Sequence, residues 1–268
     1  MVSHFLQHIV RLVSLSFVVA FEVCVAPIRA RAVILLRFAT ASHLFGEIIL
    51  VLIPEEQKAN LTQALQQVMK DSVRLVVFTQ EMECELCRES RELAQEVAAL
   101  LPDKIQVEVC DFVKDEAKVK EYGVDKVPAI AVVGSKDYGI RYYGIPYGYE
   151  FSSFIETITN VSKGVTNLSE DTKTKLQTLD KPAHIQVFVT LTCPYCAIAG
   201  SLAYKFAIES TMVKSDIVDV SEFPHLAQKY SIMGVPKIVI NERTEIVGAV
   251  PEAQFVAHVL QATKLPSI

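Results

Sequence analysis

Four of the six cysteines fall into two pairs at Cys-x-x-Cys spacing, Cys84-Glu-Leu-Cys87 and Cys193-Pro-Tyr-Cys196. Two thiols three positions apart can close a disulfide, hold one sulfur as a thiolate, or supply half of a tetrahedral metal site. In thiol–disulfide exchange the thiolate attacks, so a useful dithiol needs one cysteine whose ionised form is favoured near neutral pH. A sulfur at the start of a helix meets unsatisfied backbone N–H groups and the positive end of the helix dipole. On that basis Cys84 and Cys193 are the expected nucleophiles, and Cys87 and Cys196 the thiols that resolve a mixed disulfide. Glu85 puts a carboxylate beside the first pair, whereas Pro194 adds no charge and pre-forms a first helical turn. Cys193 is therefore expected to be the more acidic nucleophile and the second pair the stronger oxidant.

The surroundings of the two pairs repeat. From Cys87 to Pro128 is 128 − 87 = 41 positions, and from Cys196 to Pro236 is 236 − 196 = 40. Tyr122-Gly-Val-Asp-Lys-Val-Pro-Ala-Ile matches Tyr230-Ser-Ile-Met-Gly-Val-Pro-Lys-Ile at an offset of 230 − 122 = 108, which also carries Asp111 onto Asp219. Gly144 and Phe151 stand seven apart, as do Gly248 and Phe255. One structural unit is written twice. The pairs are 193 − 87 = 106 positions apart, far beyond the roughly 15–20 residues of a compact zinc ribbon, and no metal is expected. Cys110, in Val107-Glu-Val-Cys-Asp111, is expected to be a buried strand thiol acting as a small hydrophobe.

The elements that must position these thiols follow from periodicity and punctuation. In the first unit a helix is expected from Pro54 to Asp71, a strand over Arg74–Phe78, and a helix after the cysteines on Leu86, Leu93, Val97 and Leu100, stopped by Pro102. A strand at Ile105–Val109, a helix at Asp115–Tyr122, a hairpin of Ala129–Val133 with Arg141–Tyr143, and a closing helix carrying Phe151, Phe154, Ile155 and Ile158 complete it. The second unit repeats that order, with a helix near Ser169–Leu179, strands Ile185–Thr190, Ile217–Val220, Lys237–Ile240 and Glu245–Val247, and helices from Pro194, Pro224 and Pro251. Ser162–Asn167 is the expected linker, with units over 54–165 and 166–268. The expected fold class is α/β: two tandem thioredoxin-like units, each a mixed central sheet flanked by helices, behind a hydrophobic N-terminal extension.

At this level the chain resembles the two-unit protein disulfide oxidoreductases, also called glutaredoxin-like proteins, of archaea and thermophilic bacteria. The resemblance is carried by Cys193-Pro-Tyr-Cys196, Tyr142-Tyr-Gly-Ile-Pro146, Val161-Ser-Lys-Gly164, Lys205-Phe-Ala-Ile-Glu209 and Val235-Pro-Lys-Ile-Val-Ile240. It covers the chain from about residue 54 onward. It implies a catalytic set of Cys84, Cys87, Cys193 and Cys196. It also implies that Pro128 and Pro236 are cis-prolines facing the active disulfides, with Val127 and Val235 pairing in strand fashion with a bound polypeptide. No bound cofactor is implied beyond the redox-active disulfides, the electrons coming from an NADPH-dependent thioredoxin-reductase-like flavoenzyme. Partners would be that reductase, protein substrates with cysteines or disulfides, and a peroxiredoxin.

Three other functions fit the same residues. One is a dedicated electron donor to a peroxidase, as in the tandem-thioredoxin part of flavin-containing alkyl hydroperoxide reductase, although that relative keeps a working pair in only one unit. Another is a glutathione-dependent glutaredoxin, against which Gly248-Ala-Val-Pro251 stands where a Gly-Gly-Asp-type segment would hold glutathione. The third is a non-catalytic platform for unfolded clients.

Over 268 residues the formal net charge is −5, which offers no basic footprint for nucleic acid. Residues 1–53 differ in composition from the rest, with four Arg and no Lys against five Arg and 17 Lys afterwards. The uncharged run 12–21 is too short to span a bilayer, which takes roughly 20 residues. The extension is read in three ways: a mis-assigned start with translation beginning near Val51, a signal or membrane-attachment segment, or an ordered part of the fold. The expected location is the cytoplasm, with membrane attachment or export through residues 1–53 as the alternative.

Overall fold

The computed structural model describes residues 52–264. The expectations for the extension before Leu52 lie outside the described residues. The described residues form one compact unit that contains both repeats.

In chain order the elements are α1 (Glu55–Val68), β1 (Val73–Thr79), α2 (Cys87–Leu100), β2 (Ile105–Asp111), α3 (Glu116–Tyr122), β3 (Ala129–Val133), β4 (Asp137–Tyr143) and α4 (Tyr149–Lys163). The same series then recurs as α5 (Glu170–Gln177), β5 (Ala183–Val189), α6 (Pro194–Glu209), β6 (Val213–Asp219), α7 (Pro224–Lys229), β7 (Lys237–Ile240), β8 (Thr244–Val247) and α8 (Glu252–Lys264). The eight strands make one mixed sheet in the order β2-β1-β3-β4-β6-β5-β7-β8. The repeats join where β4 pairs in parallel with β6, Ile140 opposite Ser215 through Tyr143 opposite Val218.

Apolar runs set the strands. Six of the seven residues of β1 and six of the seven of β5 are buried, the pattern of a strand covered on both faces rather than one alternating between core and water. One core packs Leu93 and Val97 of α2, Phe154 and Ile158 of α4, Ala199 and Ala203 of α6 and Phe255 of α8 against the sheet. The opposite face packs Tyr122 at the end of α3 and Phe223 and Tyr230 around α7 against Phe78, Tyr143 and Phe188. Both dithiol helices, α2 and α6, thus lie on one face of the sheet.

The linker begins later than expected. Helix α4 runs through Ser162 to Lys163 and ends in Gly164 at φ 68°, a left-handed C-cap that glycine adopts without penalty. The buried Ser162 hydroxyl accepts from the Lys70 and Asp71 amides at 2.9 and 3.0 Å, tying the helix end to the turn before β1. Among the described residues no helix is long and apolar enough to cross a membrane.

Candidate functional site

Both cysteine pairs sit where a buried strand hands over to a helix. Strand β1 ends at Thr79, Gln80–Leu86 form the turn, and Cys87 is the first residue of α2. Cys84 and Cys87 are joined in a disulfide with Cα atoms 5.4 Å apart. Cys87 is buried while Cys84 is half-buried, so the two sulfurs differ in access as a nucleophile and a resolving thiol must. The Gln80 amide donates to Cys87 Sγ at 3.3 Å.

The second pair has the same arrangement as free thiols. Cys193 occupies the N-cap of α6, with Pro194 in its first turn, and Cys196 lies fully buried behind it. The Cys196 amide donates to the Cys193 carbonyl at 3.2 Å, closing the turn that holds the two side chains together. Burial pushes the Cys196 thiol up, and its hydrogen bond to Cys193 pushes in the same direction. Cys193 Sγ lies 3.7 Å from the carbonyl oxygen of Val235.

The Val127-Pro128 and Val235-Pro236 bonds are both cis, as the family resemblance implied. Each proline starts a hairpin whose far end returns to it, since the Gly144 amide donates to the Pro128 carbonyl at 3.0 Å and the Gly248 amide to the Pro236 carbonyl at 2.8 Å. The shared glycines of the sequence repeat are therefore the residues that close the two hairpins. Val127 and Val235 are half-buried, and both prolines are buried.

The structure adds an acid that no motif pointed to. Glu150, in the first turn of α4, is fully buried, and its Oε1 has no hydrogen-bonding partner. Burial pushes its carboxyl up to about 7, with the charge of Asp219 adding to the rise. Its charge is one of those raising the Cys196 thiol. Helix α4 belongs to the first repeat, and a Cβ built on Gly200 of α6 would stand 3.7 Å from Glu150 Oε2. The first repeat thus supplies a carboxyl to the dithiol helix of the second. Spacing gave no signal for it, because the Gly144-to-Gly148 segment reads as a plain connection between strand and helix.

The repeat-matched acids Asp111 and Asp219 are not equivalent. Asp219 is buried and pushed up by that burial. Asp111, at the sheet edge, is held down chiefly by the Lys114 amide. Around the first pair the inner flank is acidic: Glu222 is pushed up by burial and by the charges of Asp219, Glu85 and Glu89.

Strands β1, β4, β6 and β5 run in one direction, so both dithiols stand at the same end of the sheet. Four strand spacings of about 4.8 Å separate β1 from β5, roughly 19 Å in all. A disulfide requires Cα atoms within about 7 Å. In this arrangement the two pairs are too far apart to bridge to each other.

Comparison with known proteins matches this architecture. Residues 183–261 match the Thioredoxin domain family. The protein disulfide oxidoreductase from Aeropyrum pernix superimposes with a TM-score of 0.74 at 29% identity, over 80% of this chain and 95% of that one. The N-terminal domain of alkylhydroperoxide reductase AhpF from Enterococcus faecalis superimposes with a TM-score of 0.72 at 26% identity, over 77% of this chain and 99% of that one. In sequence, the F component of alkyl hydroperoxide reductase from Staphylococcus aureus is 22% identical over 185 residues, and NADH dehydrogenase of Bacillus subtilis 21% over 184. The chain spans about a third of the length of these curated relatives, 34% and 33%, and 68% and 69% of it is covered. With a Cys-x-x-Cys turn and a cis-proline in each half, the chain is a two-unit member of the thioredoxin superfamily.

Proposed function

We propose that this protein is a thiol–disulfide oxidoreductase acting on protein disulfides, with residues 54–165 and 166–268 as its two units and Cys84–Cys87 and Cys193–Cys196 as its working dithiols. The observation that carries this reading is the division of labour at the second pair. Cys193 is half-buried beside the Val235 carbonyl, at an edge where an extended client can align, and Cys196 is sealed behind it.

In the reducing direction the Cys193 thiolate attacks one sulfur of a client disulfide. A Cys193–client disulfide forms and the other client sulfur leaves as a thiolate. Cys196 then gives up its proton and attacks Cys193 Sγ, which closes the Cys193–Cys196 bond and releases the second client thiol. Two electrons pass from the dithiol to the client. The buried Glu150 carboxylate, with a pKa of about 7 and one unpartnered oxygen, is the base that takes the Cys196 proton. Val127, Pro128, Val235 and Pro236 form the client-binding edges. Electrons return from a thioredoxin-reductase-like flavoenzyme that uses NADPH.

Reduction of insulin disulfides tests this. Cys84→Ser and Cys193→Ser should each lose part of the activity, and the double variant all of it; full activity in the double variant overturns the proposal. A second reading, electron supply to a peroxiredoxin, is favoured by the likeness to the AhpF domain. Peroxide consumption in a mixture of reductase, this chain and a peroxiredoxin should then depend on Cys193, and consumption that persists in Cys193→Ser sinks that reading.

A further inference from the structure

The two dithiol helices have the same inner neighbours and different outer ones. In the second repeat the outer flank of α6 is filled from within the chain: β4 pairs with β6, and α4 lies alongside, carrying Glu150. Gly200 lets α6 lie close on β6, since a Cβ there would collide with Ile217 Cδ1. Ile217 is itself fully buried.

The matching flank of the first repeat has no such cover among the described residues. β2 is an end strand of the sheet, paired with β1 on one side only. Val109, the counterpart of Ile217 at 217 − 109 = 108, is 45% exposed. Arg91, at 200 − 91 = 109, stands where the second repeat has Gly200. A cavity of about 430 Å³ opens here, and its walls include Cys84, Cys87, Arg91 and Val109.

The charges in that cavity are unequally occupied. Asp111 is held by the Val113 and Lys114 amides and the Lys114 ammonium. Asp115 accepts from the Asp111 amide, and Arg88 pairs with Glu92 at 2.8 Å. Glu81 lies 4.0 Å from Lys114. Arg91 enters no ion pair or hydrogen bond among the described residues. The group left to meet a ligand is a guanidinium, beside an open strand edge.

We propose that this flank docks an extended, acidic protein segment, whose backbone adds to β2 and whose carboxylate pairs with Arg91 next to the Cys84–Cys87 disulfide. The second repeat is the template, since there a parallel strand and a following carboxyl fill the same place. A strand edge gives main-chain affinity and alternate side-chain pockets give selectivity, and a guanidinium–carboxylate pair is charge-assisted and fixed in geometry. The inference adds client selection to the redox reading of the first dithiol: this site takes partners with acidic residues near the reacting cysteine, and the second site, closed on that flank, does not select for them.

The test uses the full chain and a fluorescent peptide of alternating Glu and Val without cysteine, beside its Lys-for-Glu counterpart. Fluorescence anisotropy should show the Glu peptide binding and the Lys peptide not, with affinity falling as salt rises. Arg91→Gln should weaken binding by roughly tenfold, the loss of one charge-assisted pair, and Arg91→Glu should abolish it. Hydrogen exchange at Val107 and Val109 should slow when the Glu peptide is bound. Equal binding of the two peptides, no binding of either, or undiminished binding to Arg91→Gln overturns the proposal. So does a self-associated dimer on this edge that the Glu peptide fails to dissociate. Because the probe carries no thiol, binding that persists in Cys84→Ser separates this inference from the redox reading, which fails independently if insulin reduction survives loss of both nucleophiles.

Discussion

Glu150 and Gly200 face each other across the junction between the repeats: the carboxyl comes from the last helix of the first repeat, and the glycine lies one turn past Cys196 on the dithiol helix of the second. A buried carboxyl with an unpartnered oxygen is unfavourable for stability unless it is protonated. Its charge acts on the Cys196 thiol, and in the proposed reaction the proton of that thiol gives it a use.

Glu150→Gln should therefore separate stability from rate. The folded-state pKa of about 7 lies above the ordinary carboxylate value, so the folded protein holds this proton more tightly than the unfolded chain. Stability is lost as pH rises from about 4.5 to about 7, by on the order of 3 kcal/mol. Urea unfolding at pH 5 and pH 8 should show a smaller decline in Glu150→Gln, making the variant the more stable protein at pH 8. Resolution of a Cys193 mixed disulfide at neutral pH should slow by roughly tenfold or more. A variant with an unchanged pH slope and an unchanged resolution rate would remove Glu150 from the mechanism.

Alkylation of the reduced second site should be confined to Cys193. Cys196 is fully buried, and its thiolate is disfavoured by that burial. In Cys193→Ser, iodoacetamide labelling of the site at pH 7, followed by peptide mass spectrometry, should fall by roughly tenfold or more. Rapid labelling of Cys196 would mean that the site opens far more than this structure indicates.

Gly148→Ala should damage the second site from a position in the first repeat. Gly148 holds φ 62°, and a Cβ on it would collide with the Leu191 carbonyl, two residues before Cys193. The same contact is spanned by the Tyr149 amide, which donates to that carbonyl at 3.1 Å. A loss of roughly 1–3 kcal/mol is expected from the backbone conflict alone. Thermal denaturation measures that loss, and assaying the two sites separately should show the second slowed more than the first; equal slowing would mean that the loop does not position Cys193.

Asp137→Ala should destabilise the chain without altering the thiol chemistry. Arg141 is buried and holds Asp137 through two nitrogens at 2.9 and 2.6 Å, with further bonds to the Tyr122 carbonyl. Removing the carboxylate leaves a buried guanidinium with carbonyl partners only. A cost of roughly 2–3 kcal/mol is expected, below that of a fully buried pair because Asp137 is about one-third exposed. Denaturant titration measures the cost; a shift within about 0.5 kcal/mol would show that the pair is no more than a surface contact.

Much of the fold was legible because its signals are local. Apolar runs marked β1 and β5, Pro194 marked the start of α6, and the expected strand Ile105–Val109 lies within β2 (Ile105–Asp111), while the expected strand Ile217–Val220 overlaps the end of β6 (Val213–Asp219) and overran it by Val220. Cys110 is the buried strand thiol expected of it. The expected linker erred at Ser162, which belongs to α4; its hydroxyl satisfies two amides of the turn before β1. His184 Nε2 lies 2.6 Å from Asp216 Oδ2, a pairing between neighbouring strands of the sheet that no spacing along the chain marks.

The sequence by itself determined the chemistry: two dithiols, each at a strand-to-helix turn, each followed at matched distance by a proline. Spacing along one chain is enough for that, because a helix turn or a strand end spans only a few residues. Only the tertiary structure decided which neighbour each dithiol has. One sheet joins the repeats through β4 and β6, so the second dithiol helix gains Glu150 and a covered flank, while among the described residues the first has an open strand edge beside Arg91. Two near-copies of one pattern acquire different surroundings because a chain of two repeats has a single junction, and only one of the two dithiol helices lies against it.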